Sequence, residues 1–259
     1  MLLLGRAPAP PLSDYINAVW YAAAWKPPHS RERHMPDGSI DLIVSLDEDG
    51  DGAGIVDGAR SEATILATAR PITVIGVHFR RGGATPFIEI PASELSNASA
   101  PIDDVCGPPA RALRERLLEE DTPERRMDVL ERWLVARLMQ RRRLPEPAIV
   151  WAARQLEGRP QIAVRDVAAH IGRSTRWFIN RFSDEVGLTP KVFGRVQRFQ
   201  RALRRLHRAA DPNLAELAVS TGYFDQPHLT HEFRSIAGLT PSQYLSSRTE
   251  FHNHVALAD

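Results

Sequence analysis

The sequence predicts an α+β protein with a mainly-β domain at its N-terminal end and an all-α domain at its C-terminal end. Short segments rich in β-branched residues cluster in the first hundred residues, helical periodicity dominates the remainder, and charge is divided unevenly between the two parts. A chain of 259 residues is long enough for two ordinary domains. The predicted boundaries are residues 1–106 for the β-rich domain, 107–146 for a helical connector and 150–248 for the helical domain.

The composition is typical of a soluble globular protein. Hydrophobic residues make up 43% and charged residues 25% of the chain. No apolar run approaches the roughly 20 residues that a membrane helix needs. The leucines of the opening MLLLGR are too few for an export signal, so we expect a cytoplasmic protein without membrane contact. The single cysteine, Cys106, excludes an intramolecular disulfide and a multi-cysteine zinc site, and we predict that it is a packing residue.

Four short segments in the N-terminal part have the character of strands. They are rich in β-branched residues and are bounded by Gly, Pro and Asp, which favours a sheet or a small barrel. The segments are Ser39–Ser45, Thr64–Ala67, Ile72–Phe79 and Phe87–Ile90.

Four polar residues among these strands are candidates for a common site: His34, Asp37, Asp41 and His78. Buried structural roles or turn roles are the favoured alternative for all four. The run Pro36-Asp-Gly38 is foremost a turn signal.

The connector contains two amphipathic segments, Pro109–Leu118 and Pro123–Leu138, which we predict to be helices. The second has an apolar side suited either to packing on the β domain, which is the favoured interpretation, or to a dimer partner. Its apolar side is formed by Met127, Leu130, Trp133, Leu134, Ala136 and Leu138.

Charge separates the C-terminal part from the rest of the chain. Residues 150–248 contain 15 Lys and Arg against 8 Asp and Glu, a net charge of +7, whereas the remainder contains 18 against 24, a net charge of −6. A basic domain attached to an acidic one indicates a polyanionic partner for the basic part alone. A solvated basic face is the alternative.

An internal repeat makes the prediction for the C-terminal part more specific. Val167–Gly172 corresponds to Leu217–Gly222 at an offset of 50 residues, and Arg181–Pro190 corresponds to Glu232–Pro241 at an offset of 51. Both copies contain the tetrapeptide Gly-Leu-Thr-Pro. Two copies of one small supersecondary unit are therefore predicted.

Each unit is predicted to consist of a short helix, a glycine turn and a second helix. Gly172 and Gly222 supply the turns, while Ser174 and Asp225 are good N-caps for the second helices. Pro227 then falls in the first turn of its helix, where its missing N–H costs almost nothing. Helix, tight turn and helix is the helix-turn-helix motif, predicted at about 164–182 and about 213–234, whose second helix enters the major groove of DNA.

One long helix is predicted to join the two units, at about 190–209. An apolar stripe runs along it, and arginines occupy its other faces. Such a spacer would hold two recognition helices in successive major grooves, about 34 Å apart. The stripe consists of Val192, Val196, Phe199, Leu203 and Leu206.

Residues of about 158–247 resemble the DNA-binding domain of the AraC/XylS family of bacterial transcription regulators. The two repeated units, the Gly-Leu-Thr-Pro tetrapeptides and the run Gly222-Tyr-Phe-Asp-Gln226 carry this resemblance. It implies double-stranded DNA as the partner and contact with RNA polymerase to activate transcription. It also implies a cupin-like N-terminal domain that senses a small-molecule effector and forms a homodimer, through that domain or the connector. The cupin pattern of metal-binding histidines is absent.

The outward residues of the two second helices are the predicted DNA readers. Arg176 can bond guanine and Asn180 can bond adenine, each in a bidentate way. The family's usual arginine is replaced by His231 in the second unit and displaced to Arg181 in the first. The predicted base readers are Thr175, Arg176, Ile179, Asn180, Gln226, Thr230 and His231. The predicted phosphate contacts are Arg173, Arg181, Lys191 and Arg234.

Two other classes of function are weighed against this interpretation. An enzyme needs a nucleophile, base or metal constellation, and none is evident, so we expect neither catalysis nor a cofactor. His228 and His231 would give only two ligands, which is too few for a metal site. An architectural DNA-binding protein without a sensor is the other alternative, and it would lack any pocket in the β domain.

Overall fold

The computed structural model describes residues 2–25, 29–47, 54–107, 111–141 and 143–257. A mainly-β N-terminal domain and a helical C-terminal domain are both present, as predicted. None of the described helices is long and apolar enough to cross a membrane.

The N-terminal domain is built from two antiparallel sheets. The six-stranded sheet has the order β1-β2-β7-β4-β5-β8, and the three-stranded sheet has the order β6-β3-β9. Alternate residues of the central strands point into the core, as the pattern of exposure along β4 illustrates. The strands are β1 (Leu2–Arg6), β2 (Ile16–Trp25), β3 (Arg31–His34), β4 (Asp41–Ser45), β5 (Ile55–Asp57), β6 (Thr64–Ala67), β7 (Ile72–Phe79), β8 (Ser99–Pro101) and β9 (His254–Ala256).

The predicted strand Phe87–Ile90 is wrong. Phe87 and Ile88 are buried, but their N–H groups donate to the carbonyl oxygen of Ala84 at 2.8 and 3.2 Å and close tight turns. Pro86 and Pro91 flank the segment, and proline cannot donate to a strand ladder. The apolar residues therefore enter the core from a turn.

The connector packs on the β domain. A short helix α1 (Ile102–Cys106) precedes it, and its own helices are α2 (Arg111–Leu118) and α3 (Pro123–Met139). Residues 109–110 of the first predicted helix lie outside the described residues. The apolar side of α3 faces β2 and the 3₁₀ turn Leu12–Asp14. Ion pairs from Arg6 to Asp128 and to Glu131, at 2.5 and 2.8 Å, reinforce this contact. Ala136 is exposed and does not belong to the apolar side, contrary to the prediction.

Seven helices form the C-terminal domain. They are α4 (Pro147–Gly158), α5 (Val164–His170), α6 (Thr175–Val186), α7 (Pro190–Arg208), α8 (Leu214–Thr221), α9 (Gln226–Ala237) and α10 (Pro241–Ser247). The pairs α5–α6 and α8–α9 form the two repeated units, and α7 joins them. Gly172 and Gly222 take positive φ values of 66° and 93° in the two turns, as the sequence predicts.

Burial of the joining helix α7 extends beyond the predicted stripe. Val196, Phe199, Leu203 and Leu206 are buried as expected, and Phe193, Gln197, Gln200 and Ala202 are buried as well. The additional faces are covered because α7 touches the β domain in addition to both helical units. A periodicity of apolar residues does not reveal a buried glutamine, and the sequence therefore understates this contact.

The hydrophobic core is continuous between the two domains. One cluster of buried residues runs from the β sheet through α2, α3 and α4 to the first helical unit. A second cluster lies under the second unit and includes Met35 of the β domain and Val255 of β9. The strand β9 follows the helical domain in sequence and pairs with β3, so the chain returns to the β domain after residue 248.

Candidate nucleic-acid interface

The first recognition helix, α6, begins at the predicted N-cap. The Ser174 hydroxyl accepts a hydrogen bond from the N–H of Trp177 at 3.2 Å. Phe178 and Phe182 point into the core, and Phe182 contacts Phe193 of α7 with ring centroids 5.5 Å apart. The opposite face of α6 is therefore free to meet a partner.

Most predicted readers of the first unit lie on this free face. Thr175, Arg176 and Asn180 are exposed, whereas Ile179 is half-buried. Arg173 is exposed, and its guanidinium carbon lies 4.9 Å from the ring centroid of Trp177, which is half-buried. Stacking of this kind holds an arginine in place without removing its hydrogen-bond donors.

Arg181, by contrast, points toward the protein. Its Nε lies 2.7 Å from Oε1 of Glu185, one turn further along α6. Glu185 is almost wholly buried and also accepts a hydrogen bond from the N–H of Glu146 at 2.9 Å. Burial raises the pKa of Glu185 to about 7, although the Glu146 amide and the Arg181 charge oppose this shift. A phosphate contact by Arg181 stays a prediction, and it would compete with this ion pair.

The second recognition helix, α9, begins at Asp225. The Asp225 carboxylate accepts a hydrogen bond from the N–H of His228 at 2.8 Å, and Pro227 lies in the first turn as predicted. Leu229 and Phe233 are buried. The polar residues Gln226, His231 and Arg234 are exposed, while Thr230 is half-buried; together with Pro227 they line a shallow depression of about 500 Å³.

Two further residues of α9 and its turn were not assigned a role from the sequence. The side chain of Phe224 is 86% exposed, the largest exposure among the apolar residues that the structure describes as exposed. His228 is also exposed, and its Nδ1 accepts a hydrogen bond from the N–H of Phe224 at 3.3 Å. This bond leaves the proton of a neutral imidazole on Nε2, where it can donate outward. The signal in the sequence was an aromatic pair, Tyr223-Phe224, of which the fold buries only Tyr223.

A buried carboxylate fixes α9 against α7. Arg198 donates from Nε and Nη2 to the two oxygens of Glu232 at 3.1 and 2.6 Å. Burial lowers the pKa of Arg198, but the hydrogen bond and the charge of Glu232 outweigh it and the net shift is upward. Arg195 adds a second cation, with Nε 3.4 Å from Glu232. Lys191, at the start of α7, is exposed.

The β domain contacts both recognition helices near their C-terminal ends. At α6, Ser93 donates to Asp184 at 2.8 Å. At α9, the N–H of Ala63 donates to the carbonyl oxygen of Ile236 at 2.8 Å, and Arg33 donates to that of Ala237. The exposed N-terminal halves of both helices project away from these contacts. Both α6 and α9 are therefore held by contacts with the β domain in addition to their contacts within the helical domain.

The four polar residues considered as a site in the β domain are only partly brought together. His78 lies 3.0 Å from Asp41 through Nδ1 and 3.5 Å from Asp37 through Nε2. His34 instead places Nε2 at 2.7 Å from Nε2 of His254 in β9. The described residues contain no group of three or more metal-ligating side chains arranged to hold an ion. Cys106 is buried, and burial raises the pKa of its thiol to about 12, in keeping with a packing role.

Two family models match the chain. Residues 167–247 match a helix-turn-helix domain, and residues 5–101 match a domain of unknown function, DUF6597. A search of the curated proteins finds no match.

Solved structures match the chain at low sequence identity. A transcriptional regulator with an AraC-type DNA-binding domain from Chromobacterium violaceum is 21% identical, covers 40% of this chain and 94% of its own, and has a TM-score of 0.37. ToxT from Vibrio cholerae is 9% identical, covers 95% of this chain and 97% of its own, and has a TM-score of 0.45. Both identities and both TM-scores are low.

Proposed function

We propose that this chain, whose residues 167–247 match a helix-turn-helix domain, is an AraC-type transcription regulator that reads DNA with both recognition helices at once. The helices α6 and α9 would enter successive major grooves on one side of the duplex. The DNA-binding domain is taken as residues 150–248. The family match supports binding and regulation, and no catalytic role is proposed.

One observation carries the proposal of two simultaneous readers. The helices α6 and α9 leave their N-terminal polar residues exposed, while α7 and the β domain hold their opposite ends. Two independent helix-turn-helix units on a flexible tether would not share such supports. A pre-set spacing lowers the entropic cost of binding two half-sites together.

The reader residues divide by chemistry. Arg176 and Asn180 on α6, and Gln226 and His231 on α9, carry the hydrogen-bonding groups for base edges. Arg173, Lys191 and Arg234 supply charge for phosphates, which positions the protein without reading sequence. Base contact is also assigned to three neighbours on the outward faces of α6 and α9, namely Thr175, Ile179 and Thr230. Arg181 is assigned as a further phosphate contact.

Control by a small molecule and contact with RNA polymerase complete the proposed mechanism. An effector regulates only if it binds one arrangement of the domains better than the other. Because the β domain touches α6, α7 and α9, a ligand that shifts this domain would alter both readers. A homodimer through the β domain or the connector would pair two such reading modules.

The test is selection of bound sites from a random DNA library by the full-length protein at two salt concentrations. The expected result is an asymmetric site with two enriched blocks about one helical turn apart. Recovery of a single block would contradict the simultaneous use of both helices. Binding that is abolished by salt without any enrichment would contradict sequence-specific reading.

Substitution of two arginines separates the two kinds of contact. Arg176→Ala should weaken the selected site by about 1–3 kcal/mol and relax preference at one position, whereas Arg234→Ala should weaken all sequences alike. Arg132→Ala, an exposed position on α3, is the matched control and should change neither. Equal losses on specific and random DNA for Arg176→Ala would remove it from the base readers.

A further inference from the structure

Glu185 lies where the first recognition helix meets the start of the helical domain. Its side chain is 2% exposed, although it belongs to the same helix as the predicted readers of the first unit. One carboxylate oxygen, Oε2, accepts a hydrogen bond from the N–H of Glu146, just before α4, at 2.9 Å. The other oxygen, Oε1, lies 2.7 Å from Nε of Arg181. One buried carboxylate therefore joins the junction between connector and helical domain to an arginine of α6.

Arg181 lies at the edge of the face that is predicted to meet DNA. Its side chain is 33% exposed, and it directly follows Asn180, which is exposed. An arginine has a long, flexible stem, so its guanidinium can leave Glu185 for solvent without movement of the backbone. While the pair with Glu185 holds, the arginine charge is balanced by a carboxylate on the same helix. A nearby phosphate is then attracted only weakly.

Protonation of Glu185 would remove one of its two contacts and keep the other. A neutral carboxyl group retains an oxygen that accepts from the Glu146 N–H, but it no longer attracts Arg181 through charge. Burial raises the pKa of Glu185 to about 7, against the opposing effects of the Glu146 amide and the Arg181 charge. Both forms of the carboxyl group are therefore populated near neutral pH.

Two other charged groups act on Glu185, and both belong to the segment that leads to α4. The Glu146 carboxylate raises the pKa of Glu185 and the Arg143 charge lowers it, each more weakly than Arg181 acts. The turn after β7 approaches with Gly82, which has no titratable side chain, and the 3₁₀ turn packed on α6 leaves its Glu94 exposed. Arg181 is therefore the cation that responds most directly when Glu185 changes its charge.

The sequence repeat places this pair in the first unit. At the offset of 51 residues, Arg181 corresponds to Glu232 and Glu185 corresponds to Ile236. Glu232 is paired with Arg198 of α7, and Ile236 cannot titrate. A change in protonation at these positions would therefore act on α6 and not on α9.

We propose that ionised Glu185 holds Arg181 away from DNA and that protonated Glu185 releases it to a backbone phosphate. This inference rests on the proposed function, because it takes α6 to be a DNA-reading helix. A phosphate contact by the released arginine displaces a condensed counterion from DNA. DNA affinity should therefore rise as pH falls from about 8 to about 6. By linkage, DNA binding takes up a proton at Glu185.

The first experiment measures the affinity of the full-length protein for a short duplex of random sequence, by fluorescence anisotropy over a range of salt at pH 8 and pH 6. The test variant is Glu185→Gln, because the amide keeps an oxygen for the Glu146 N–H and cannot ionise. At pH 8 we expect Glu185→Gln to bind about threefold or more tightly than the parent, with a salt slope steeper by about one. At pH 6 this difference should shrink by at least about half, since the parent is then largely protonated.

Asp184→Asn is the matched control for charge. It removes one negative charge from the adjacent residue, and the amide oxygen can still accept the hydrogen bond from Ser93. A long-range effect of charge on DNA binding would appear in both variants, and equal gains would overturn the proposal. Weaker DNA binding by Glu185→Gln would also overturn it, because Glu185 would then orient Arg181 toward a phosphate.

Substitution of Arg181 identifies the released group. Combined with Glu185→Gln, the change Arg181→Gln should abolish the gain in affinity. In the parent, Arg181→Gln should cost less than about twofold at pH 8 and about threefold or more at pH 6, a comparison that does not depend on the folding of Glu185→Gln. Arg173→Gln, at an exposed arginine stacked on Trp177, should have the same effect at both pH values. A loss for Arg181→Gln that does not change with pH would overturn the proposal.

Failure of this proposal is distinguishable from failure of the proposed function. Binding to random DNA needs only phosphate contacts, whereas site selection needs base readers. A protein that shows the Glu185→Gln gain but selects no site would keep the role of Glu185 and lose sequence-specific reading. A protein that selects a two-block site and binds equally with and without Glu185→Gln would keep the regulator and lose this role. Absence of DNA binding under all conditions would overturn both.

Discussion

Gln197, in the middle of α7, donates a hydrogen bond to the carbonyl oxygen of Asp37 in the β domain at 2.7 Å. One turn further along α7, Gln200 donates to the carbonyl oxygen of Pro36 at 2.8 Å. Both glutamines are buried, so both amides would be costly to leave without partners. The turn at residues 36–38 is thereby fastened to the helix that joins the two helix-turn-helix units.

Gly38 in this turn should not tolerate a side chain. Its φ is +76°, and a Cβ atom there would lie 3.3 Å from Cδ2 of Phe193. We expect Gly38→Ala to lower the free energy of unfolding by about 1–3 kcal/mol, from backbone strain and from displacement of Phe193. Urea unfolding of the two proteins measures this difference.

Gly158→Ala is the matched control for that substitution. Gly158 is the last residue of α4, and a Cβ atom there meets nothing within 4 Å. Replacement of a helical glycine by alanine should stabilise by about 0.5–1 kcal/mol. Equal effects of the two substitutions would contradict tight docking of the turn on α7.

Glu185 should make stability depend on pH between its unfolded and folded pKa values. Burial raises its pKa from 4.5 to about 7, so the folded protein binds a proton more tightly than the unfolded chain. The free energy of unfolding then falls as pH rises through this interval. Above pH 7 the full cost of burying the ionised Glu185 carboxylate is present. Glu185→Gln should remove this dependence and be more stable than the parent at pH 8, by about 1–3 kcal/mol.

Denaturant unfolding of both proteins at pH 5 and pH 8 measures the Glu185 effect. The difference between the variant and the parent should grow in favour of the variant as pH rises. A difference that is constant, or that favours the parent at pH 8, would mean that the ion pair with Arg181 outweighs the cost of burial.

His34 should have the opposite pH dependence. Burial, and next to it the charge of His254, lowers the pKa of His34 from 6.5 to about 4. The unfolded chain therefore binds a proton more readily, and stability falls as pH falls from about 6.5 to about 4, by at most about 3 kcal/mol. His34→Gln should lose this part of the acid sensitivity.

Thermal unfolding between pH 7 and pH 4 checks this expectation. His231→Gln, at an exposed position on α9, is the control and should keep the acid profile of the parent. Identical profiles for His34→Gln and the parent would show that burial of His34 does not contribute to the acid sensitivity.

Phe224 should contribute to DNA affinity without contributing to stability. It is 86% exposed and adjoins the first turn of α9, where an apolar ring can cover deoxyribose or a thymine methyl group. We expect Phe224→Ser to weaken DNA binding about fivefold and to change the free energy of unfolding by less than about 0.5 kcal/mol. Met139→Ser, on exposed α3 surface, should leave DNA binding unchanged. An unaltered DNA affinity for Phe224→Ser would exclude the ring from the interface.

The helical half of the protein could be predicted from its sequence because its signals are local. N-caps at Ser174 and Asp225, glycine turns at 172 and 222, and the apolar spacing along α7 act within a few residues of each other. The sequence repeat gave a second, independent reason to predict the helix-turn-helix unit. Local signals of this kind do not predict whether a half-buried arginine turns toward the protein or toward a partner. The ion pair of Arg181 with Glu185 was therefore not predicted.

The β half could be predicted only in part because strand pairing is not local. The segments Thr64–Ala67 and Ile72–Phe79 are strands as predicted. Most of β2 and all of β3, β8 and β9 lack a strict alternation of apolar and polar residues, and their pairing partners lie far away in sequence. Contacts between the domains were equally hidden, because Gln197 and Asp37 are 160 residues apart and share no motif.

The strand β9 sets the order in which the three-stranded sheet can form during synthesis. The three-stranded sheet takes its middle strand from residues 31–34 and one edge from residues 254–256. During synthesis the N-terminal part emerges first and folds while that edge does not yet exist. The edge of β3 is open to other strands until both helix-turn-helix units have been translated. Completion of the sheet therefore marks a chain in which both helix-turn-helix units are already present.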